Sequence, residues 1–475
     1  YNDRLIYPPP PGHPDYTRII EHNSNYYEFH KNPYTNQQLR ANIELDITSS
    51  VKLSLKPYMW IGRGSGTSTT IATISGIPRL FFREAFNYTD RPGVIAELKF
   101  ELPKDSRLFL GYWYEYADLK QWRPSRRVEV NPDGTFTLNN VTNFRYDYIQ
   151  RTKTITNTPY LFLESKGLLD KMDINLGVRF ASVKRDFKDY QRTGVPYYPE
   201  DGVYNHPGLT VNPNGTYEKT YRKILPSFGV GYQFTNFAYG YFAYAKNFRV
   251  PQNLIGTDAN AQFVADQLKP EEADNYDLGL RLDFDKFYIA PSVYYVKYKD
   301  RLIRTTDPEG NVYLRNAGKV DAYGAELELG FVPVRRVSIY ASLSYNKAKF
   351  KEEKIYDGTP PTPFEIKDKT VPDTPERMIK LGGRFELLGF RISPSVQYVG
   401  SRYGNFINTE RVSPYTLVNL NVQRRIYKGI DLLVDVVNLT DKKYVGRISP
   451  GIGNNRALYY AGAPFTISVG LRGRF

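Results

Sequence analysis

Apolar and polar residues alternate along most of this chain. Near its end, Phe465, Ile467, Val469 and Leu471 are interleaved with Thr466, Ser468, Gly470 and Arg472. The same period recurs upstream. Ile339, Ala341, Leu343 and Tyr345 alternate with Ser338, Tyr340, Ser342 and Ser344. Tyr276, Leu278, Leu280 and Leu282 alternate with Asp277, Gly279, Arg281 and Asp283. Val418, Leu420 and Val422 alternate with Asn419, Asn421 and Gln423, and Ile430, Leu432, Val434 and Val436 with Asp431, Leu433 and Asp435. A period of two sends successive side chains to opposite faces of a β-strand. The pattern predicts about seventeen strands, near 36–49, 51–64, 91–103, 107–122, 153–168, 171–189, 222–235, 237–249, 271–283, 286–304, 319–333, 335–349, 377–388, 390–403, 415–427, 430–440 and 464–475.

The connections alternate in length. Short turns fall at 48–50, 103–106, 283–286, 333–336 and 428–429. Long polar connections fall near 65–90, 123–152, 190–221, 250–270, 305–318, 350–376, 404–414 and 441–463. Antiparallel strands with short turns at one rim and long loops at the other are the pattern of an outer-membrane barrel. A soluble sandwich more often has short turns at both ends. A strand of about 11 residues rising ~3.3 Å each covers ~36 Å, enough to cross a tilted bilayer core. An odd strand number is unusual, because single-chain bacterial barrels have even ones. Residues 1–35, rich in Pro, Tyr and His, read as an extracellular loop segment, and 36–475 as the barrel.

Composition constrains the class less. Of 475 residues, 41 are Tyr and 27 are Phe, and mean hydropathy is −0.51. This suits a soluble β protein, and equally a transmembrane barrel whose lipid-facing and lumen-facing residues average out as polar. No apolar run reaches the ~18 residues of a transmembrane helix. The chain begins without Met and without a signal-like segment, so its start is expected to be processed or truncated. With no cysteine, disulfide frameworks, thiolate zinc sites and thiol nucleophiles are excluded.

Several stretches together resemble the TonB-dependent outer-membrane receptors. They are "LPSFGVGYQFTNFAYGYFAYAKNFRVPQN" (225–253), "LKPEEADNYDLGLR" (268–281), "NAGKVDAYGAELEL" (316–329), "VNLTDKKY" (437–444) and the terminal aromatic-Pro…Phe strand. Residues 36–220 match in strand pattern only. The resemblance implies an all-β, transmembrane antiparallel barrel of the 22-stranded type, with short periplasmic turns and long extracellular loops. In that family the last strand closes against the first, and a terminal aromatic, here Phe475, resembles the signal read by the barrel assembly machinery. The family also has an N-terminal plug and a TonB-contacting segment. Neither is recognisable here, so the plug and about five strands are expected upstream of this chain.

Candidate chemistry is basic and aromatic, and it lies toward the long-loop rim. "KPYMWIGR" supplies Tyr58, Trp60 and Arg63; "WYEYADLKQWRPSRR" supplies Trp113, Trp122, Arg123, Arg126 and Arg127; "NFRVPQN" supplies Arg249; "GSRYGNF" supplies Arg402 and Tyr403. Arginine beside aromatic rings suits an anionic, ring-bearing ligand through charge and stacking. Such residues also form membrane-interface girdles or bridge lipopolysaccharide phosphates. The formal charge of +14 favours an anionic ligand. His13, His22 and His30 are spaced nine and eight apart; a metal or haem contact is the alternative, but loop spacing fixes no geometry, so they read as solvated loop residues and no metal site or cofactor is expected. "GRGSGTS" (62–68) reads as a loop tip, because neither a helix pattern nor a P-loop lysine follows it.

The leading expectation is a receptor and transporter for a scarce nutrient, foremost a ferric siderophore, and not an enzyme. Import would draw on the TonB–ExbB–ExbD complex. Cobalamin, haem or a glycan are alternative cargoes, and a passive porin-like barrel or a soluble β binding protein are alternative classes. The expected setting is the outer membrane of a Gram-negative bacterium, as a monomer in contact with lipopolysaccharide and without nucleic acid.

Overall fold

The computed structural model describes residues 3–139, 144–198, 200–251, 268–306, 312–357, 362–452 and 457–473. Phe475, expected to act in barrel assembly, lies outside the described residues. After helix α1 (Tyr16–Ser24) come β1 (Tyr34–Arg40), β2 (Ile43–Thr48), β3 (Val51–Ile74), β4 (Ile77–Leu102), β5 (Ser106–Val130), β6 (Phe136–Asn139), β7 (Arg145–Leu169), β8 (Met172–Tyr190) and β9 (Val211–Thr235). There follow β10 (Ala238–Arg249), β11 (Glu271–Asp283), β12 (Phe287–Lys299), β13 (Leu302–Thr306), β14 (Val312–Asn316), β15 (Val320–Val334), β16 (Val337–Phe350), β17 (Lys354–Asp357) and β18 (Thr362–Glu365). The last third holds β19 (Arg377–Leu387), β20 (Phe390–Val399), β21 (Arg402–Tyr403), β22 (Arg411–Val412), β23 (Tyr415–Tyr427), β24 (Ile430–Val437), β25 (Val445–Ser449), β26 (Leu458–Ala461) and β27 (Thr466–Gly473).

Nineteen of these strands form one antiparallel sheet, and the other eight make four small rim hairpins. β1 and β2 lie end to end along one edge of β3, and β6 pairs only with the rim end of β5. The wall is therefore seventeen strands wide among the described residues, each at a position where the alternation places one. Among the described residues β27 pairs only with β24, and β1 and β2 only with β3. The wall thus keeps two unpaired edges, and the closure of last strand on first is not made by these residues.

Cross-strand partners share a face of the sheet. Leu278 opposes Val293, which opposes Ala325. Leu278 and Val293 are 55% and 49% exposed, so protein does not bury this apolar face. Its solvent is lipid. The opposite face carries Asp277, Tyr294 and Gly324 in one row and lines the lumen.

The sequence reading ends the strands too early at the outer rim. Residues 65–90 are strand almost throughout: β3 and β4 run 24 and 26 residues and meet at Ser75–Gly76, both at positive φ (49° and 79°). Two left-handed residues in succession make a tight hairpin turn whose twist matches the flanking strands. β5 and β7 likewise extend through most of 123–152. At ~3.3 Å per residue β4 is ~85 Å long against a hydrocarbon core of ~30 Å, so much of it stands above the membrane.

"GRGSGTS" is not a loop tip but part of β3. A Cβ at Gly62 or Gly64 would overlap the Tyr34 ring, which lies across the strand from β1. Tyr opposite Gly recurs along the lumen face: Tyr58 on Gly93, Tyr160 on Gly111, Tyr241 on Gly279, Tyr288 on Gly330. In each pair a flat ring covers backbone that a side chain would displace.

The expected loop 1–35 also has structure. Leu5, ahead of α1, joins Tyr16 and Ile20 of α1 and Phe29 of the 3-10 turn at Tyr27–Phe29 in packing on Leu80, Phe82 and Val128 of the tall hairpins. Two further apolar clusters sit at the same rim. One joins Phe86, Trp122, Tyr146 and Ile149 to Val195 and Val203; the other gathers Val320, Phe350, Ile366, Phe406 and Ile452. The protein's own cores are therefore above the bilayer, where water rather than lipid drives burial.

Candidate functional site: a basic and aromatic cavity on the lumen wall

β3, β4, β5, β7, β8 and β10 together line a cavity of about 700 Å³ on the lumen face. Alternation selects its residues: Trp60 from β3, Arg91 from β4, Trp113 and Glu115 from β5, Thr152, Thr154, Thr156 and Thr158 from β7, Arg179 and Arg185 from β8, Arg249 from β10. Each neighbouring set is in register. Arg91 opposes Trp60, Glu115 opposes Thr156, and Thr154 opposes Arg185.

One side of the cavity is a fixed network. Trp113 Nε1 donates to Tyr58 Oη at 2.9 Å, and that hydroxyl donates to Glu115 Oε2 at 2.7 Å. Glu115 Oε1 lies 3.5 Å from Arg91 Nε, and the Arg91 guanidinium sits 5.1 Å from the Trp60 ring centre. Trp60 donates to Asn36 Oδ1 at 3.0 Å. These bonds leave the two indole rings held in place beside the cavity.

The other side is basic. Arg249 pairs with Glu271 at 3.1 Å and donates to the Leu302 carbonyl. Arg185 is buried; it donates to the Pro251 carbonyl, and its Nε has no partner. Arg179 is exposed to the cavity. Among the described residues neither Arg179 nor Arg185 has a carboxylate partner. Thr152 Oγ1 is likewise buried without a partner. The lining holds four arginines and one carboxylate, Glu115.

Tyr58, Trp60, Trp113 and Arg249 of the expected residues come together here. Arg63 does not: three positions from Trp60, it faces the other way and pairs with Asp90 at 2.6 Å. Trp122, nine from Trp113, is fully buried on the opposite face, stacked on Phe86 at 4.7 Å. Arg123 is higher on the hairpins, in a cluster where Arg83, Arg123 and Arg145 converge on buried Asp147 at 3.3, 2.8 and 3.4 Å. Burial lowers the Arg83 pKa, against the pull of Asp147. Arg126 pairs with Glu84 at 3.2 Å, and burial raises that carboxyl against the pull of Arg126. Arg127 lies 4.0 Å from Glu129. Arg402 is buried at the rim of another part of the wall, tied to Asp373 and the Val445 carbonyl at 2.6 Å each, with Tyr403 half-buried beside it.

Arg91, Glu115, Arg179, Arg185 and the threonine row were missed by sequence reasoning. Their signal was parity: polar residues at lumen positions within strands rather than in loops. Among the described residues, no group of three or more His, Asp or Glu is placed to hold a metal ion.

A tall-hairpin transmembrane wall with a basic and aromatic cavity on its lumen face is the architecture of a receptor-type β-barrel. The chain belongs to the TonB-dependent receptor family: the model "TonB dependent receptor-like, beta-barrel" matches residues 1–439. It is 26% identical over 228 residues to the ferrichrome outer membrane transporter and phage receptor of Escherichia coli K12, covering 46% of this chain and 28% of that protein. It is 25% identical over 319 residues to the ferrioxamine receptor of Yersinia enterocolitica, covering 63% and 39%. The chain thus matches well under half the length of these relatives. In fold it is similar to the ferric yersiniabactin uptake receptor of Yersinia pestis, with TM-score 0.67 and 17% identity over 94% of this chain and 61% of that one. The family and these neighbours are receptors and transporters.

Proposed function

We propose that the chain is the barrel portion of an outer-membrane receptor that binds a ferric siderophore and releases it to the periplasm using energy coupled through TonB–ExbB–ExbD. The observation that carries this reading is the cavity between Trp60, Trp113, Arg179, Arg185 and Arg249. Flat rings, guanidinium groups and threonine hydroxyls suit an oxygen-rich chelate. Curated relatives named for ferrichrome and ferrioxamine support an iron chelate as the cargo. In the same reading lipopolysaccharide surrounds the outer rim, the assembly machinery inserts the barrel, and the receptor works as a monomer.

The test is tryptophan fluorescence of the intact receptor in detergent, titrated with ferric siderophores, cobalamin and haem. Trp60 and Trp113 line the cavity and Trp122 does not. Saturable quenching by one ferric complex should survive Trp122→Phe and shrink in Trp60→Phe and Trp113→Phe. Equal quenching in all three variants, or quenching by cobalamin or haem alone, refutes the reading.

A further inference from the structure

We infer that the cavity is built for a polyanionic ferric chelate carrying at least two separated oxyanion groups, and not for an uncharged trihydroxamate. The inference rests on the receptor reading above and adds the charge class of its ligand.

The charge on the cavity wall is only partly matched. Arg91 and Arg249 are answered by Glu115 and Glu271. Arg179 and Arg185 are answered by no carboxylate among the described residues. A surface arginine needs none, because water solvates it. Arg185 is different: it is 95% buried, with a main-chain carbonyl and the Tyr217 side chain as its hydrogen-bond partners, neither of them charged, and Nε on nothing. A buried cation without a counter-charge is costly, and the cost is recovered when an anion arrives to pair with it. Thr154 and Thr156 stand beside it, and buried Thr152 Oγ1 is a further unanswered polar group. A carboxylate or catecholate oxygen meets both kinds of donor. An uncharged hydroxamate shell leaves the guanidinium charges unanswered.

Spacing sets the size. Arg179 and Arg185 are six residues apart on β8, on one face, or ~20 Å along the strand at ~3.3 Å per residue. One phosphate-sized ion cannot engage both. A chelate with anionic arms on opposite sides of its metal can, while its body lies against Trp60 and Trp113. The Tyr58–Trp113–Glu115–Arg91 network occupies the cavity's own carboxylate, so it does not compete for the two arginines.

The experiment uses the intact receptor and the quenching of Trp60 and Trp113. Four iron probes are compared: a ferric tricarboxylate, a ferric triscatecholate, an uncharged ferric trihydroxamate and a cationic one. Folding of each variant is checked by the heat-dependent gel shift of a closed barrel. The expected result is that one of the two anionic chelates binds at least tenfold more tightly than either hydroxamate. Arg179→Gln, at an exposed position that folding does not need, should weaken that chelate about tenfold and leave hydroxamate binding unchanged. Arg179→Lys should recover part of the loss, because the charge returns without the forked geometry. Arg185→Gln should give a similar or larger loss. Tight binding of a hydroxamate with no effect of Arg179→Gln overturns the charge assignment and leaves the receptor reading standing. Failure of every iron probe to quench a folded receptor overturns both.

Discussion

At the scale of the residue, the informative pairs are Tyr on Gly. Forty-one tyrosines look like surplus in a composition, yet several of those on the lumen face, Tyr58, Tyr160, Tyr241 and Tyr288 among them, lie over glycines of the next strand. Gly93 shows the consequence for the site. Its missing side chain lets the Tyr58 ring lie where its hydroxyl joins Trp113 to Glu115. Gly93→Val should cost about 1–3 kcal/mol through overpacking and should displace Tyr58. The Trp113 share of ligand quenching should then fall, with Trp60 still responding. An unchanged emission spectrum and unchanged quenching would show that Tyr58 does not depend on Gly93. The parity that separates Trp60 from Arg63, and Trp113 from Trp122, was present in the sequence. Grouping residues by their height toward the rim concealed it; grouping them by odd and even position would have kept Trp60 with Trp113 and set Arg63 and Trp122 aside.

At the scale of the element, strand positions were legible because each strand has one face in lipid and one in the lumen. What was not legible was strand length. Above the membrane the lipid requirement lapses, so Gly62 to Thr70 lose the apolar alternation and read as a loop. Their strand character comes from pairing with β1 and β4, and from rings laid across them. The same holds for α1, whose seat is built from Leu80, Phe82 and Val128, distant in sequence. The rim clusters should therefore be separable from the barrel. Trp122→Ala removes the largest fully buried side chain among the described residues, at a cost of about 3–5 kcal/mol. Protease should then cut faster within 191–209, whose Val195 and Val203 pack on that cluster, while the barrel keeps its gel shift. Equal cutting rates would mean that Trp122 does not hold the loop.

At the scale of the whole molecule, two properties stand out. The first is the pair of unpaired edges, β1 with β2 on one side and β27 on the other, all with exposed residues. In hydrocarbon each unpaired backbone group costs several kcal/mol, so an edge there must find hydrogen-bonding backbone. Refolded on its own in detergent, this 475-residue chain should associate through these edges, giving oligomers by light scattering. A monodisperse monomer would mean that the edges close on each other. The second is the uneven lumen. Arg91, Arg179, Arg185 and Arg249 face the cavity from one part of the wall, and exposed Asp277, Glu326 and Glu328 belong to another. Such a field draws an anion toward the cavity, and added salt weakens that attraction.

The Tyr-on-Gly pairs also bear on heredity. Neither member of such a pair can drift alone: a side chain gained at Gly93 or Gly111 meets a ring, and a ring lost from Tyr58 or Tyr160 bares the backbone beneath it. A damaging change at the glycine should therefore be reverted in a genetic screen by shrinkage of its tyrosine, at a site dozens of residues away in the chain. Across descendants of this barrel the two positions should vary together, so that the lumen wall is inherited as matched pairs of ring and gap rather than residue by residue.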